Sequence, residues 1–199
     1  LLEIIFIDSA STDETLSLIK SWIKENPSEL GKDIIILEEP KRRGKSFAIN
    51  RAFAEASGEI VMMTDVDCRL DTGALERIGL RFQDKSIGGL TGKQILIDEF
   101  GSAQINQEVT YRDIFSIFRY GESCHDSTPI FHGECSAYRR ELVKNRPLIE
   151  KANADDSQMA VYVRRHGSRA ICDPKLVFRE VAPPSGTSQR VQKVRRAQG

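Results

Sequence analysis

Ile60-Val61-Met62-Met63-Thr64-Asp65-Val66-Asp67 is the stretch on which the reading of the chain turns. A short, wholly apolar run has the character of a strand buried on both faces of a sheet. It stops abruptly in two carboxylates one residue apart. In α/β sheets ligands bind just beyond the carboxyl ends of the strands, which is where Asp65 and Asp67 fall. Both could reach one hard cation, and Mg²⁺ is usually held by one or two carboxylates together with substrate phosphates. The run therefore predicts a metal–diphosphate site. Read structurally, the same pair would simply end the strand and cap a helix beginning near Thr72.

Working outward, the neighbouring segments repeat the pattern. Leu2 to Ile7 is an apolar run ending in Asp8, and Ser11 and Glu14 after it have the spacing of a capping box. Leu16, Ile19 and Ile23 mark one face of the helix that follows. A second strand, Ile34 to Leu37, leads through a polar loop to a helix from about Lys45 to Ala56, with Ile49, Phe53 and Ala56 on one side. Three strand–helix alternations in succession predict a wound, mostly parallel α/β sheet. Further on, the pattern predicts a helix over 72–82, a strand over 88–97 and a helix over 105–120. Tyr111, Ile114, Phe115 and Phe118 form a stripe on that last helix, expected to face the core. Pro129 to Phe131 reads as a short strand before Gly133. A helix follows from Asp156 to His166 with Met159, Ala160 and Val163 inward, then two short strands near 170–172 and 177–181.

The 199 residues suit one domain with a sizeable core, and zero formal net charge excludes nucleic-acid binding by bulk electrostatics. Cys68, Cys124, Cys135 and Cys172 lack Cys-x-x-Cys spacing and read as reduced thiols. No run is long and apolar enough to span a bilayer. The chain opens at Leu1 inside a strand and closes in a basic segment holding Arg190, Lys193, Arg195 and Arg196. Both features read as a fragment, with the domain over 1–185 and the basic segment over 186–199.

Three further groups carry chemistry. Lys45 stands at a helix start beside a strand end, placed to meet a phosphate, although Glu39 occupies the position where a P-loop needs glycine. Asp8 ends its strand as Asp65 ends its own, on the same rim of a parallel sheet. Asp155-Asp156 opens a helix, where acids suit the dipole. Adjacent carboxylates also raise one another's pKa, which would suit a general base. The structural readings are a solvated basic loop at Lys41–Lys45 and a turn at Asp8.

The order Ile5-Phe6-Ile7-Asp8-x-x-Ser11-Thr12-Asp13, Gly44-Lys45, Asp65-Val66-Asp67, Gly133 with Arg139-Arg140, Asp155-Asp156 and Gln192-x-x-Arg195-Arg196 resembles the family 2 inverting glycosyltransferases. The resemblance runs from Leu1 to Gly199. It implies a GT-A fold, a nucleotide-diphosphate sugar donor, usually UDP-linked, and Mg²⁺ or Mn²⁺. It implies that Asp8 contacts the uracil, Lys45 lies near the nucleotide, Asp65 touches the nucleotide-sugar and Asp67 ligates the metal. Asp156 would be the base acting on the acceptor hydroxyl, with Asp155 beside it. Gln192, Arg195 and Arg196 would engage the acceptor and the diphosphate. The acceptor would be a glycan or a lipid-linked group, and the parent protein would sit on the cytoplasmic face of a membrane through parts outside this soluble fragment.

Departures from the family pattern are Ser9 in place of a second acid, Asp155 in place of Glu, and Arg196 in place of Trp. The family's first strand and helix would precede Leu1. Two other readings stand beside this one: a metal-dependent nucleotidyltransferase, and a non-catalytic nucleotide-binding domain of the same fold.

Overall fold

In the computed structural model the quoted run is β3, Ile60–Thr64, with Val61 and Met63 packed into a core on one face of the sheet. Ile60 and Met62 lean on a second core across the sheet. Covering both faces is why the run shows no polar alternation. The structure describes residues 2–26, 34–97, 105–145, 148–149 and 155–181.

In chain order the elements are β1 (Ile4–Asp8), α1 (Thr15–Glu25), β2 (Ile34–Glu38), α2 (Lys45–Glu55), β3, β4 (Cys68–Leu70) and α3 (Ala74–Arg81). Then come β5 (Ile87–Ile97), α4 (Ile105–His125), β6 (Cys135–Arg139), α5 (Arg140–Val143), α6 (Asp155–Arg165) and β7 (Arg169–Val181). β1 and β2 form a parallel pair in which Asp8 stands opposite Glu38. The other five strands form one mixed sheet in the order β3-β6-β5-β7-β4. Its long β5–β7 ladder is parallel, while β6 lies antiparallel between β3 and β5.

Side-chain alternation along β6 divides the interior. Tyr138 enters one core with Ile49 and Phe53 of α2 and Met159, Ala160 and Val163 of α6. Cys135 and Ala137 enter the other, with Ile78 of α3, Phe82 just past its end, and Ile171 and Phe178 of β7. The inward faces expected for α2 and α6 are the observed ones.

Several local expectations are corrected. α1 begins at Thr15 with no side-chain cap from the predicted box. Instead Asp13 accepts the Thr15 N–H, and the Ser11 N–H donates to Asp8 Oδ2 at 3.3 Å. After Asp67 the chain adds a three-residue strand, β4, against β7 before α3 begins. Residues 129–131 carry no strand. The two short strands expected late in the chain are one, β7, with an irregularity opposite Gly92 and Lys93.

The largest correction concerns α4. Tyr111, Ile114, Phe115 and Phe118 do not face the core: Tyr111 is 58% exposed and Phe118 63%. The helix turns its polar side inward instead. Arg112 bonds Gln94 and Glu180, Arg119 meets His132, and Ser123 Oγ accepts the Cys172 N–H at 2.7 Å.

Candidate active site

β1 and β3 each run into a carboxylate, α2 opens at Lys45, and the chain turns sharply at each of these points. After Asp8 and Ser9, Ala10 takes a left-handed backbone (φ 54°), which brings Ser11 back to the Asp8 carboxylate. Gly44 takes φ 99°, a conformation that favours glycine, and Lys45 is the first residue of α2. Past β3, the Cys68 N–H donates to Asp65 O at 3.1 Å, closing a turn that leaves Val66 and Asp67 in solvent.

Lys45 Nζ donates to Asp65 Oδ1 at 2.9 Å. The ammonium faces Gly133, in the turn that precedes β6. A Cβ placed on Gly133 would lie 3.3 Å from Lys45 Nζ and 3.8 Å from Asp156 Oδ2. A bare backbone here lets the ammonium and the carboxylate approach the same point. The turn is held by Thr91, whose buried hydroxyl donates to Cys135 O at 2.8 Å and accepts the His132 N–H at 3.1 Å.

Asp156, in the first turn of α6, accepts its neighbour Ser157's N–H through Oδ1 at 2.7 Å. Its other oxygen faces Gly133. Burial raises the Asp156 pKa above the usual aspartate value. The charges of Asp155 and Glu134 push it the same way, against the Ser157 hydrogen bond and Lys45. Burial by itself would lower the Lys45 ammonium, but the Asp65 hydrogen bond and charge, with Asp155 and Glu134 beyond, leave it raised and cationic. The rim thus presents a fixed cation and a proton-accepting carboxylate on either side of one glycine.

Asp8, Lys45, Asp65, Asp67, Asp155 and Asp156 all lie at these strand and helix ends. Gln192, Arg195 and Arg196 lie outside the described residues. Among the described residues no cluster of three or more His, Cys, Asp or Glu is poised to hold a metal ion. A cation here would draw on Asp65 and Asp67 and complete its shell from a bound diphosphate and water. That division suits Mg²⁺ or Mn²⁺, whose protein ligands are typically one or two carboxylates. The donor atoms fit: both are hard oxygens from one turn, and Asp67 is exposed there with no hydrogen bond or ion pair to a described residue.

Two acids belong to the rim that sequence reasoning passed over. Glu134 sits beside Gly133 and acts on both Lys45 and Asp156. Its signal was adjacency to Gly133, but only the antiparallel return of β6 brings it next to β3. Glu39 follows β2, and its N–H donates to Asp8 O at 2.9 Å. The strand-end rule applied to Asp8 and Asp65 would have found Glu38–Glu39, though not which of the two turns inward. His132 precedes Gly133, with its ring nitrogen Nε2 3.1 Å from Arg119 Nη1. His166 stacks on Tyr162 within α6. The cysteines are free thiols, and burial pushes Cys135 up to about 12 and Cys172 to about 11.

A wound α/β domain with paired acids past β3, a lysine on the first of them and a partly buried aspartate nearby is the arrangement of a GT-A glycosyltransferase. The chain belongs to glycosyl transferase family 2, whose profile matches residues 1–147. It is similar in structure to a mannosyltransferase from Pyrobaculum calidifontis solved with GDP-mannose and Mn²⁺, at TM-score 0.80 and 32% identity. The match covers 98% of this chain and 52% of that one. In sequence it is 24% identical over 199 residues to the poly-β-1,6-N-acetyl-D-glucosamine synthase of Staphylococcus aureus, 99% of this chain and 47% of that protein. It is 23% identical over 175 residues to a dolichyl-phosphate β-glucosyltransferase of Trichomonas vaginalis, 88% of this chain and 48% of that protein. The chain spans about half the length of the relatives it matches. No helix among the described residues is long and apolar enough to cross a membrane.

Proposed function

We propose that this domain moves a sugar from a nucleotide-diphosphate donor to an acceptor hydroxyl, with inversion, and that Asp156 is the base. The observation that carries this is the approach of Lys45 and Asp156 to Gly133, with Asp65 holding the Lys45 ammonium. Asp156 accepts the acceptor's proton on Oδ2 as the hydroxyl oxygen attacks the anomeric carbon from the face opposite the leaving diphosphate. Its raised pKa suits that task, because a base is most effective when its pKa approaches the working pH. Lys45 places a positive charge where negative charge develops on the departing diphosphate. Asp65 orients Lys45 and, with Asp67, would hold a divalent cation. When bound, Mg²⁺ or Mn²⁺ supplies Lewis-acid stabilisation of the leaving group.

Family membership argues against the nucleotidyltransferase reading, which leaves Asp155-Asp156 without a role. The relatives act on a glycan and on a dolichyl phosphate, so acceptors of either class suit the proposal. The family resemblance favours a uridine donor, whereas the mannosyltransferase was solved with GDP-mannose.

Asp156→Asn keeps the size and the Ser157 contact but cannot take a proton. It is expected to lower kcat by about 10²–10⁴-fold, with donor KM changed by no more than a few-fold. Steady-state kinetics on the nucleotide-sugar checks this. An unchanged kcat would remove Asp156 as the base.

A further inference from the structure

α4 buries its polar side and leaves an apolar side bare. Tyr111, Ile114, Phe115, Ile117 and Phe118 are between 36% and 70% exposed. At about 100° per residue they span an arc of about 160° around the helix. Arg112, Arg119 and Ser123, on the other side, are bonded to the sheet and to His132. The aromatic rings of the bare face already touch. Ring centroids are 4.5 Å apart between Tyr111 and Phe115, and 6.5 Å apart between Phe115 and Phe118.

Size and charge together limit what can cover this face. At ~150–250 Å² for an aromatic side chain and somewhat less for isoleucine, the exposed parts of the five come to roughly 500 Å². Apolar patches of that size mark interaction surfaces. A standard interface takes about 800 Å² from each partner, of which about 65% is apolar in homodimers. That share is again roughly 500 Å², so a second copy of the same face matches it in area. α4 contains no lysine and both its arginines are turned inward, so the face offers nothing to anionic lipid headgroups. Of its exposed acids, Asp113 stands at the flank with Lys93 Nζ 3.5 Å away, and Glu122 lies past the end of the stripe. Antiparallel pairing of two copies keeps their Glu122 carboxylates about 20 Å apart along the helices, beyond screening range. Parallel pairing would set them together.

We propose that this chain forms a two-fold dimer through α4, its apolar face packed antiparallel on the same face of a second copy. The contact is isologous and centred between Ile114 and Phe115, so Phe118 of each copy meets Tyr111 of the other. It does not depend on the donor-site reading. The inner side of α4 holds Arg119 against His132, which precedes Gly133, so the interface lies one helix away from the turn of the proposed site.

The test is sedimentation velocity, with light scattering, on the 199-residue chain. The expected mass is twice the 22.4 kDa of one chain. The expected dissociation constant is about 1 μM or tighter, the range of interfaces of this size. Tyr111→Lys and Phe118→Glu should each weaken the dimer about ten-fold or more. Both positions are exposed, so each variant should keep the wild-type circular dichroism. Mixed in equal amounts, the two variants should recover the dimer. One lysine then meets one glutamate, and the second Phe118–Tyr111 contact is unaltered. A wild-type chain that stays monomeric well above that concentration would overturn the proposal. So would a dimer that both substitutions leave intact, because its interface would lie elsewhere. A monomer that binds phosphatidylcholine vesicles through this face would assign the face to a bilayer. One that ignores them would assign it to polypeptide outside these residues, and either result overturns the dimer.

Discussion

Asp156 shows how one residue's surroundings set both its chemistry and its cost. Because burial and the charges of Asp155 and Glu134 raise its pKa, the folded protein holds this proton at a pH where the unfolded chain has released it. Asp156 therefore weakens folding as pH rises through its folded value, and that penalty is absent below the ordinary aspartate value of about 3.9. Asp156→Asn is expected to melt at or above the wild-type temperature at neutral pH, the difference closing toward pH ~4. Thermal melts across that range check it, and a variant that melts lower at neutral pH would contradict it. The same shift has a kinetic face. The base must be ionised, so kcat/KM should fall with decreasing pH through a value raised above that of an ordinary aspartate. Glu134→Gln removes one charge that raises Asp156, and should move this acid limb to lower pH. A limb that stays in place would remove Glu134 from the site's electrostatics. The strand-end acids Asp8 and Asp65 were legible in sequence because an apolar run ending in a carboxylate is a local pattern. Glu134 was not, because its closeness to Lys45 and Asp156 comes from strand pairing across distant parts of the chain.

At the scale of elements, α4 separates what periodicity reveals from what it does not. The stripe of Tyr111, Ile114, Phe115 and Phe118 correctly indicated a helix. It did not indicate which side packs inward, because the inner face is made of Arg112, Arg119 and Ser123 bonded to named partners on the sheet and loops. An apolar stripe predicts burial only where no polar face has better partners. β4 was missed for a different reason. Three residues carry no readable alternation, and only β7, more than a hundred residues later, gives them a ladder. β5 and β7 meet most closely at Gly92, where an added Cβ would stand 2.2 Å from the backbone oxygen of Leu176. A backbone atom at an irregular point of a parallel ladder cannot swing aside as a side chain can. Gly92→Ala is therefore expected to destabilise the fold by about 1–3 kcal/mol, measured by denaturant unfolding. A stability equal to wild type would mean that the β5–β7 bulge is softer than its geometry implies.

For the molecule as a whole, the proposed site joins two pieces of sheet. The parallel pair β1–β2 brings Asp8 and Glu39, while the five-stranded sheet brings Asp65 and, through α6, Asp156. α2 bridges them: Ile49 and Phe53 lie in the core shared with β3 and α6, and Lys45 reaches Asp65. Glu3 ties the start of β1 to the end of α2 by accepting the Ser57 N–H and hydroxyl. The alternation of strands and helices made the α/β class readable from the first 67 residues, since each unit is local. The mixed character of the five-stranded sheet was not readable, because β6 enters it from the far side of α4. In the proposed function, Asp65 and Asp67 belong to a metal-dependent donor site. The most direct measurement is titration of UDP and of GDP into the wild-type chain and Asp67→Ala, each with and without Mn²⁺. Binding that requires Mn²⁺ and is lost in Asp67→Ala is the predicted result. Binding that ignores the metal, or survives Asp67→Ala unchanged, would contradict the claim.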